Sequence, residues 1–131
     1  MDLDFFIKLN DAYWSTYDEA TAYCLNDGAR LAILDTTTKL NYVLALPDYD
    51  REFFIEWTFF TVLYYLVGAT DEAQEDYFVW TTGNIVSRDA QFWLEFQPNN
   101  ADGDQDCLTL HLSKYDDVTC TSDFQFICEL V

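Results

Sequence analysis

Between Gln97 and Cys107 the chain carries Gln97, Asn99, Asn100, Asp102, Asp104, Gln105 and Asp106 around Pro98 and Gly103. Downstream, Tyr115-Asp116-Asp117 ends three residues before Cys120. A proline and a glycine among so many side-chain oxygens mark a loop. Hard cations such as Ca²⁺ take six to eight oxygens from carboxylates, amides and backbone carbonyls. Gln97, Asn99, Gln105, Asp116 and Asp117 would supply them if a disulfide brought the two segments together. A solvated polar loop in front of a hairpin is the other reading these residues allow.

A second set of oxygens lies at Asp71-Glu72-Ala73-Gln74-Glu75. Asp71 and Glu75 are four apart, which on a helical turn puts both carboxylates on one side; a solvated acidic turn is the alternative. Asp102-Gly103-Asp104 superficially resembles an EF-hand loop, but the glutamate at position 12 and the flanking helices are missing. His111 is the only histidine, on the strand face opposite Leu108, Leu110 and Leu112. It has no obvious nucleophile beside it and reads as solvent-facing. Paired acids are too common in this chain to indicate catalysis, so an enzyme is not expected.

The elements that must position these groups follow from pattern. At 131 residues, half of them apolar and 18% aromatic, the chain is long enough for one domain, 1–131, with a single core. A net charge of −18 excludes nonspecific nucleic-acid binding and attraction to anionic membranes, both of which need a basic surface. Four cysteines, Cys24, Cys107, Cys120 and Cys128, include no Cys-x-x-Cys pair; an oxidising, extracellular setting fits better than zinc. Their spacing leaves all three connectivities open. Met1-Asp2-Leu3-Asp4 is not a secretory leader, so the chain reads as a mature form with a start methionine.

Phe5 to Leu9 reads as a strand and Asn10-Asp11 as a turn. Thr16 with Glu19 predicts a capping box, opening a helix that carries Tyr17, Ala20, Cys24 and Leu25 on one face and stops at Asn26-Asp27-Gly28. After Leu31-Ala32-Ile33-Leu34, Asp35-Thr36 can cap a second helix bearing Leu40, Val43, Leu44 and Leu46 up to Pro47. The run from Trp57 to Leu66 is almost wholly apolar, yet shorter than the about 20 residues a membrane helix needs. It predicts one buried strand, with a self-association edge (a homodimer) as the competing reading. Phe78-Val79-Trp80 followed by Thr81-Thr82-Gly83 reads as strand and turn.

Taken together, Gln97-Pro98-Asn99, the Tyr115-Asp116-Asp117 run, Gly28-Ala29-Arg30-Leu31-Ala32-Ile33, Leu66-Val67-Gly68-Ala69, Phe92-Trp93 and the ending Phe126-Ile127-Cys128-Glu129 resemble the C-type lectin domain in its short form. The likeness covers essentially the whole chain. Two motifs depart from the family's usual Glu-Pro-Asn or Gln-Pro-Asp and Trp-Asn-Asp, and the family's Trp before Ile-Gly-Leu is replaced by Leu66. The resemblance implies an α+β fold with two helices flanking small antiparallel sheets and a long calcium-binding loop region. It also implies disulfides Cys24–Cys128 and Cys107–Cys120, and a cis Gln97-Pro98 bond. As function it implies a secreted, calcium-dependent lectin of innate immunity, with Ca²⁺ as cofactor, glycans as partners, and no nucleic-acid or membrane partner. Calcium would be held by Gln97, Asn99, Gln105, Asp116 and Asp117. A second calcium would sit on Asp71, Glu75, Asn100, Gln105 and Asp106. A C-type-lectin-like domain that binds protein, mineral or ice is the alternative.

For the sugar, the implied contacts are Gln97, Asn99, Gln105 and Asp116. A calcium-bound amide leaves its NH₂ to donate, whereas a carboxylate only accepts. Gln97 and Asn99 both donate, and Gln105 with Asp116 reverses the family's usual Glu and Asn. That order favours galactose-type over mannose-type hydroxyls, with Tyr115 or Trp93 expected to stack on the sugar ring.

Overall fold

Thr16 closes the first turn of helix α1 (Tyr17–Asn26): its Oγ1 accepts from the Glu19 N–H at 3.3 Å, while Glu19 Oε1 accepts from the Thr16 N–H at 3.1 Å. The expected capping box is therefore formed. The helix stops where Gly28 takes a φ of +73°, a backbone conformation that a Cβ resists. Ala20 and Cys24 face the core as expected, but Leu25 is 73% exposed, because it lies one residue further round than the narrow stripe that α1 buries. Helix α2 (Thr37–Leu44) starts on Thr36, whose Oγ1 accepts from the Lys39 N–H at 3.1 Å, and it buries Leu40 and Val43.

This computed structural model describes residues 5–8, 14–45, 53–56, 59–61, 64–74, 77–93, 106–111 and 113–130. Its strands are β1 (Phe5–Lys8), β2 (Ala29–Leu31), β3 (Phe53–Glu56), β4 (Phe59–Thr61), β5 (Tyr64–Thr70), β6 (Val79–Trp80), β7 (Cys107–His111), β8 (Lys114–Val118) and β9 (Gln125–Leu130). The main sheet runs β1-β9-β5-β7-β8, with β2 added to β9 and β6 to β5; only the β5–β9 pair is parallel. Helices and sheet together give the expected α+β architecture.

Each face of the sheet has its own core. Tyr65, Val67, Leu108, Leu110 and Ile127 pack with Ile33, Leu40 and Val43 on one side. On the other side Leu66, Phe126 and Cys128 pack with Ala20, Cys24 and Leu31. A strand covered on both faces loses the polar alternation of a half-exposed one, which is why β5 reads as a continuous apolar run.

The apolar run from Trp57 to Leu66 is not one strand, and that expectation is corrected. β3 and β4 pair with each other as a separate two-stranded sheet, with Phe54 opposite Phe60, and a distinct strand β5 starts only at Tyr64. The run carries neither Gly nor Pro, so its division into separate strands left no signal in the sequence. In β5, Gly68 is required by close packing: a Cβ there would meet Ile33 Cδ1 and the Leu31 carbonyl oxygen, each at 2.9 Å.

Glu129 ties α2 and β2 to the last strand. It accepts from the buried Ile33 N–H at 3.0 Å, and its carboxylate meets Lys39 Nζ at 2.8 Å and Arg30 Nε at 3.4 Å. Buried carboxylates need such pairing and hydrogen bonding. Gln125, on the same face of β9, is less well provided: neither end of its fully buried amide has a hydrogen-bond partner among the described residues. Burying an unsatisfied amide costs about 1–3 kcal/mol. Gln125→Met keeps the shape and removes the polar ends, so it is expected to raise stability by about 1–2 kcal/mol. A urea midpoint equal to or below that of the parent protein would refute this.

Candidate functional site

Both disulfides form as the resemblance implies: Cys24 with Cys128, and Cys107 with Cys120. The second joins the first residue of β7 to the turn after β8, next to the acidic pair. In the β7–β8 register Cys107 faces Val118, Leu108 faces Asp117 and Thr109 faces Asp116, while the Thr109 hydroxyl donates to the Asp116 carbonyl at 3.0 Å. Asp116 and Asp117 are both buried, at 8% and 1% exposure. Burial first, then the negative charge of Asp117 and a side-chain hydrogen bond with it, push the Asp116 carboxyl up to about 6. Two carboxyl groups held together out of water are electrostatically expensive unless a cation joins them.

Asp71 and Asp106 form a second acidic pair at the same end of the sheet. The Asp71 N–H donates to the Asp106 carbonyl at 3.1 Å, which places the end of β5 against the residue preceding β7. Asp71 is 2% exposed, and Asp106 Oδ1 is buried with no hydrogen-bond donor among the described residues. The segment after Asp71 is a turn, in which the Gln74 N–H reaches the Asp71 carbonyl at 3.2 Å, and not a helical face. Glu75, Gln97, Pro98, Asn99, Asn100 and Gln105 lie outside the described residues, and so does the Gln97-Pro98 bond. Among the described residues no three of His, Cys, Asp and Glu converge on one metal position. Three buried acids, Asp71, Asp116 and Asp117, with the partly buried Asp106 fit a hard cation, provided further oxygens come from elsewhere.

The described residues on either side of positions 94–105 lie beside the first pair: Trp93 bridges Tyr115, and Cys107 pairs with Val118 of β8.

Trp93 and Tyr115, expected to stack on a sugar, are core residues instead. They are 6% and 3% exposed and meet edge to face, with ring centroids 5.7 Å apart. The Trp93 indole N–H donates to the Ser87 carbonyl at 2.8 Å, and burial, followed by the charge of Asp35, raises the Tyr115 phenol. Their physical role is to hold the base of the loop to β8. His111 is also corrected: it is half-buried and stacks flat on Tyr64, centroids 3.7 Å apart. Sequence reasoning overlooked a cavity beside the start of α2, because Asp35 and Thr36 were read only as helix caps; their polarity next to Trp80, Phe92 and Tyr115 gave no periodic signal.

A sheet carrying two helices and two disulfides, with acidic pairs at one end, is the C-type lectin fold. The mouse scavenger receptor C-type lectin carbohydrate-recognition domain superposes with a TM-score of 0.76 over 98% of this chain and 88% of its own, at 22% identity. A C-type lectin from the tunicate Polyandrocarpa misakiensis gives 0.74 over 98% and 97%, at 23% identity.

The sequence itself goes further than the fold. The Lectin C-type domain family matches residues 14–130. Salivary C-type lectin 1 of Aedes albopictus is 34% identical over 122 residues, covering 84% of this chain and 72% of its own. Hepatic lectin of Gallus gallus is 29% identical over 115 residues; 87% of this chain corresponds to 49% of that protein, so the chain spans about half its length. The chain belongs to the C-type lectin family.

Proposed function

We propose that the domain is a calcium-dependent lectin without catalytic activity, whose metal site is Gln97, Asn99, Gln105, Asp116 and Asp117. One observation supports this reading: Trp93 and Cys107, which flank the segment bearing three of these residues, pair with Tyr115 and Val118 on either side of the buried Asp116-Asp117 pair. Calcium would neutralise that pair and offer two coordination positions to neighbouring sugar hydroxyls. The same side chains, Gln97, Asn99, Gln105 and Asp116, would hydrogen-bond those hydroxyls. A second calcium on Asp71, Glu75, Asn100, Gln105 and Asp106 is supported by the orphaned, buried Asp106 Oδ1.

Relatives support a glycan ligand in general terms. Murine dendritic cell inhibitory receptor 2 was solved in complex with an N-glycan, and cow CD23 in the presence of a GlcNAc2Man3 oligosaccharide. An extracellular setting is supported by the two disulfides and by the salivary relatives. No helix among the described residues is long and apolar enough to cross a membrane.

The reversed donor–acceptor order of Gln105 and Asp116 supports galactose-type ligands. With Trp93 and Tyr115 in the core, discrimination would rest on hydrogen-bond matching alone. A mismatched hydrogen bond costs about 1–3 kcal/mol, so a methyl galactoside is expected to compete about tenfold better than a methyl mannoside for calcium-loaded protein. Stronger competition by the mannoside would overturn the sugar preference. Glycan-array binding that persists in excess chelator would overturn calcium dependence.

A further inference from the structure

A cavity of about 280 Å³ opens beside the start of α2, and none of its lining residues belongs to the acidic pairs. Its apolar wall consists of Leu40, Trp80 and Tyr115, all buried, with half-buried Phe92 and Ile85, which is 64% exposed, towards solvent. Its polar residues are Asp35, Thr36, Thr37 and Ser87. The volume falls just below the roughly 300–1,000 Å³ of drug-sized pockets, which limits a ligand to one ring and a short tether.

The sign of charge decides which tether. Asp35 is the acidic group among the residues that line the cavity. The nearest cation, Lys39, is drawn towards Glu129 at 2.8 Å and holds Asp35 only at 3.5 Å, in a loose pair that stabilises little. The helix start contributes a partial positive charge, but Thr36 already caps one of its N–H groups, and Asp35 carries a full negative charge against it. The chain as a whole carries −18, which raises the local concentration of small cations.

We propose that this cavity is a second binding site, independent of calcium, for a small organic amine: the ring packs among Leu40, Phe92 and Ile85, and the ammonium pairs with the Asp35 carboxylate. The ammonium would take up the Asp35 charge that Lys39 serves only loosely. A carboxylate-bearing ligand of the same shape would be repelled, and a neutral one would keep only the ring contacts.

The test is a calorimetric titration of the intact chain in excess chelator, with phenethylamine, 2-phenylethanol and 3-phenylpropionate as probes of equal shape. Working without calcium keeps the result separate from that of the sugar site. Phenethylamine is expected to bind about tenfold more tightly than the alcohol, as a charge-assisted pair exceeds a neutral one, and the acid not at all. Asp35→Asn is expected to bring the amine down to the alcohol's affinity. Ile85→Lys alters an exposed side chain, leaves the core intact and should repel the amine. Equal binding of amine and alcohol, retained amine binding in Asp35→Asn with an unchanged near-ultraviolet dichroism spectrum, or no amine binding to the parent protein would each overturn the proposal.

Discussion

Replacing Cys24 and Cys128 together by alanine is expected to lower stability by about 4–5 kcal/mol, against about 3 kcal/mol for the Cys107 and Cys120 pair. The reason is the length of chain each bond closes: 104 residues of separation for the first and 13 for the second. Cross-linking removes loop-closure entropy from the unfolded chain, and the effect grows with the logarithm of loop length. The environment adds to the difference, because Cys24 and Cys128 are fully buried between α1 and the sheet, where truncation also leaves a gap. For a domain stable by roughly 5–15 kcal/mol, losing the long bond removes a large share of the total. Urea midpoints of the two double variants decide the matter. The short-loop variant should stay folded while its calcium binding weakens, since its bond braces the strand that carries Asp116 and Asp117. If it proved the less stable of the two, the entropic ordering would be wrong.

Local signals in the sequence were reliable where a short segment decides its own conformation. The Thr16 and Glu19 box, the Gly28 stop and the Thr36 cap each depend on groups within four residues, and all three appear in the structure. The cysteine pairing was not local. Spacing left three connectivities open, and only the family resemblance selected the pairs that the structure contains.

Long-range competition accounts for the failures. Leu25 fits a helical apolar stripe, yet α1 meets the sheet along a line through Ala20 and Cys24 that leaves Leu25 in solvent. The apolar run from Trp57 onwards has no turn residue to show that it splits into β4 and β5. With no aromatic between Asn100 and Asp104, the sequence leaves only Trp93 or Tyr115 to stack on a sugar ring. Composition could not tell that a third ring, Phe78, packs against Trp93 at 5.5 Å and that Trp80 meets Tyr115 at 6.1 Å, completing an aromatic cluster below the loop. At the site itself, the acidic pair at Asp116-Asp117 was legible as a pair. Its burial was not.

Asp117→Ala is expected to abolish calcium binding and leave the fold intact. Asp117 is 1% exposed and lies against Asp116, so in metal-free protein the two carboxyl groups oppose each other. Removing one relieves that opposition, and the metal-free variant should melt no lower than the metal-free parent. The calcium-dependent part of stability is a different matter. Only two of the five proposed ligands are charged, which places affinity in the weak extracellular range, about 10⁻⁴ to 10⁻³ M. A ligand at ten to a hundred times its dissociation constant stabilises the folded state by about 1.4–2.7 kcal/mol. The parent protein should therefore melt higher as calcium is raised to about 10 mM, and Asp117→Ala should show no shift over the same range. Asp117→Asn, which keeps an oxygen but not the charge, should fall between them and so separates loss of a ligand from loss of packing. A calcium titration of Asp117→Ala that superimposes on the parent's would remove Asp117 from the site, and with it the reading that the buried pair on β8 exists to hold a cation.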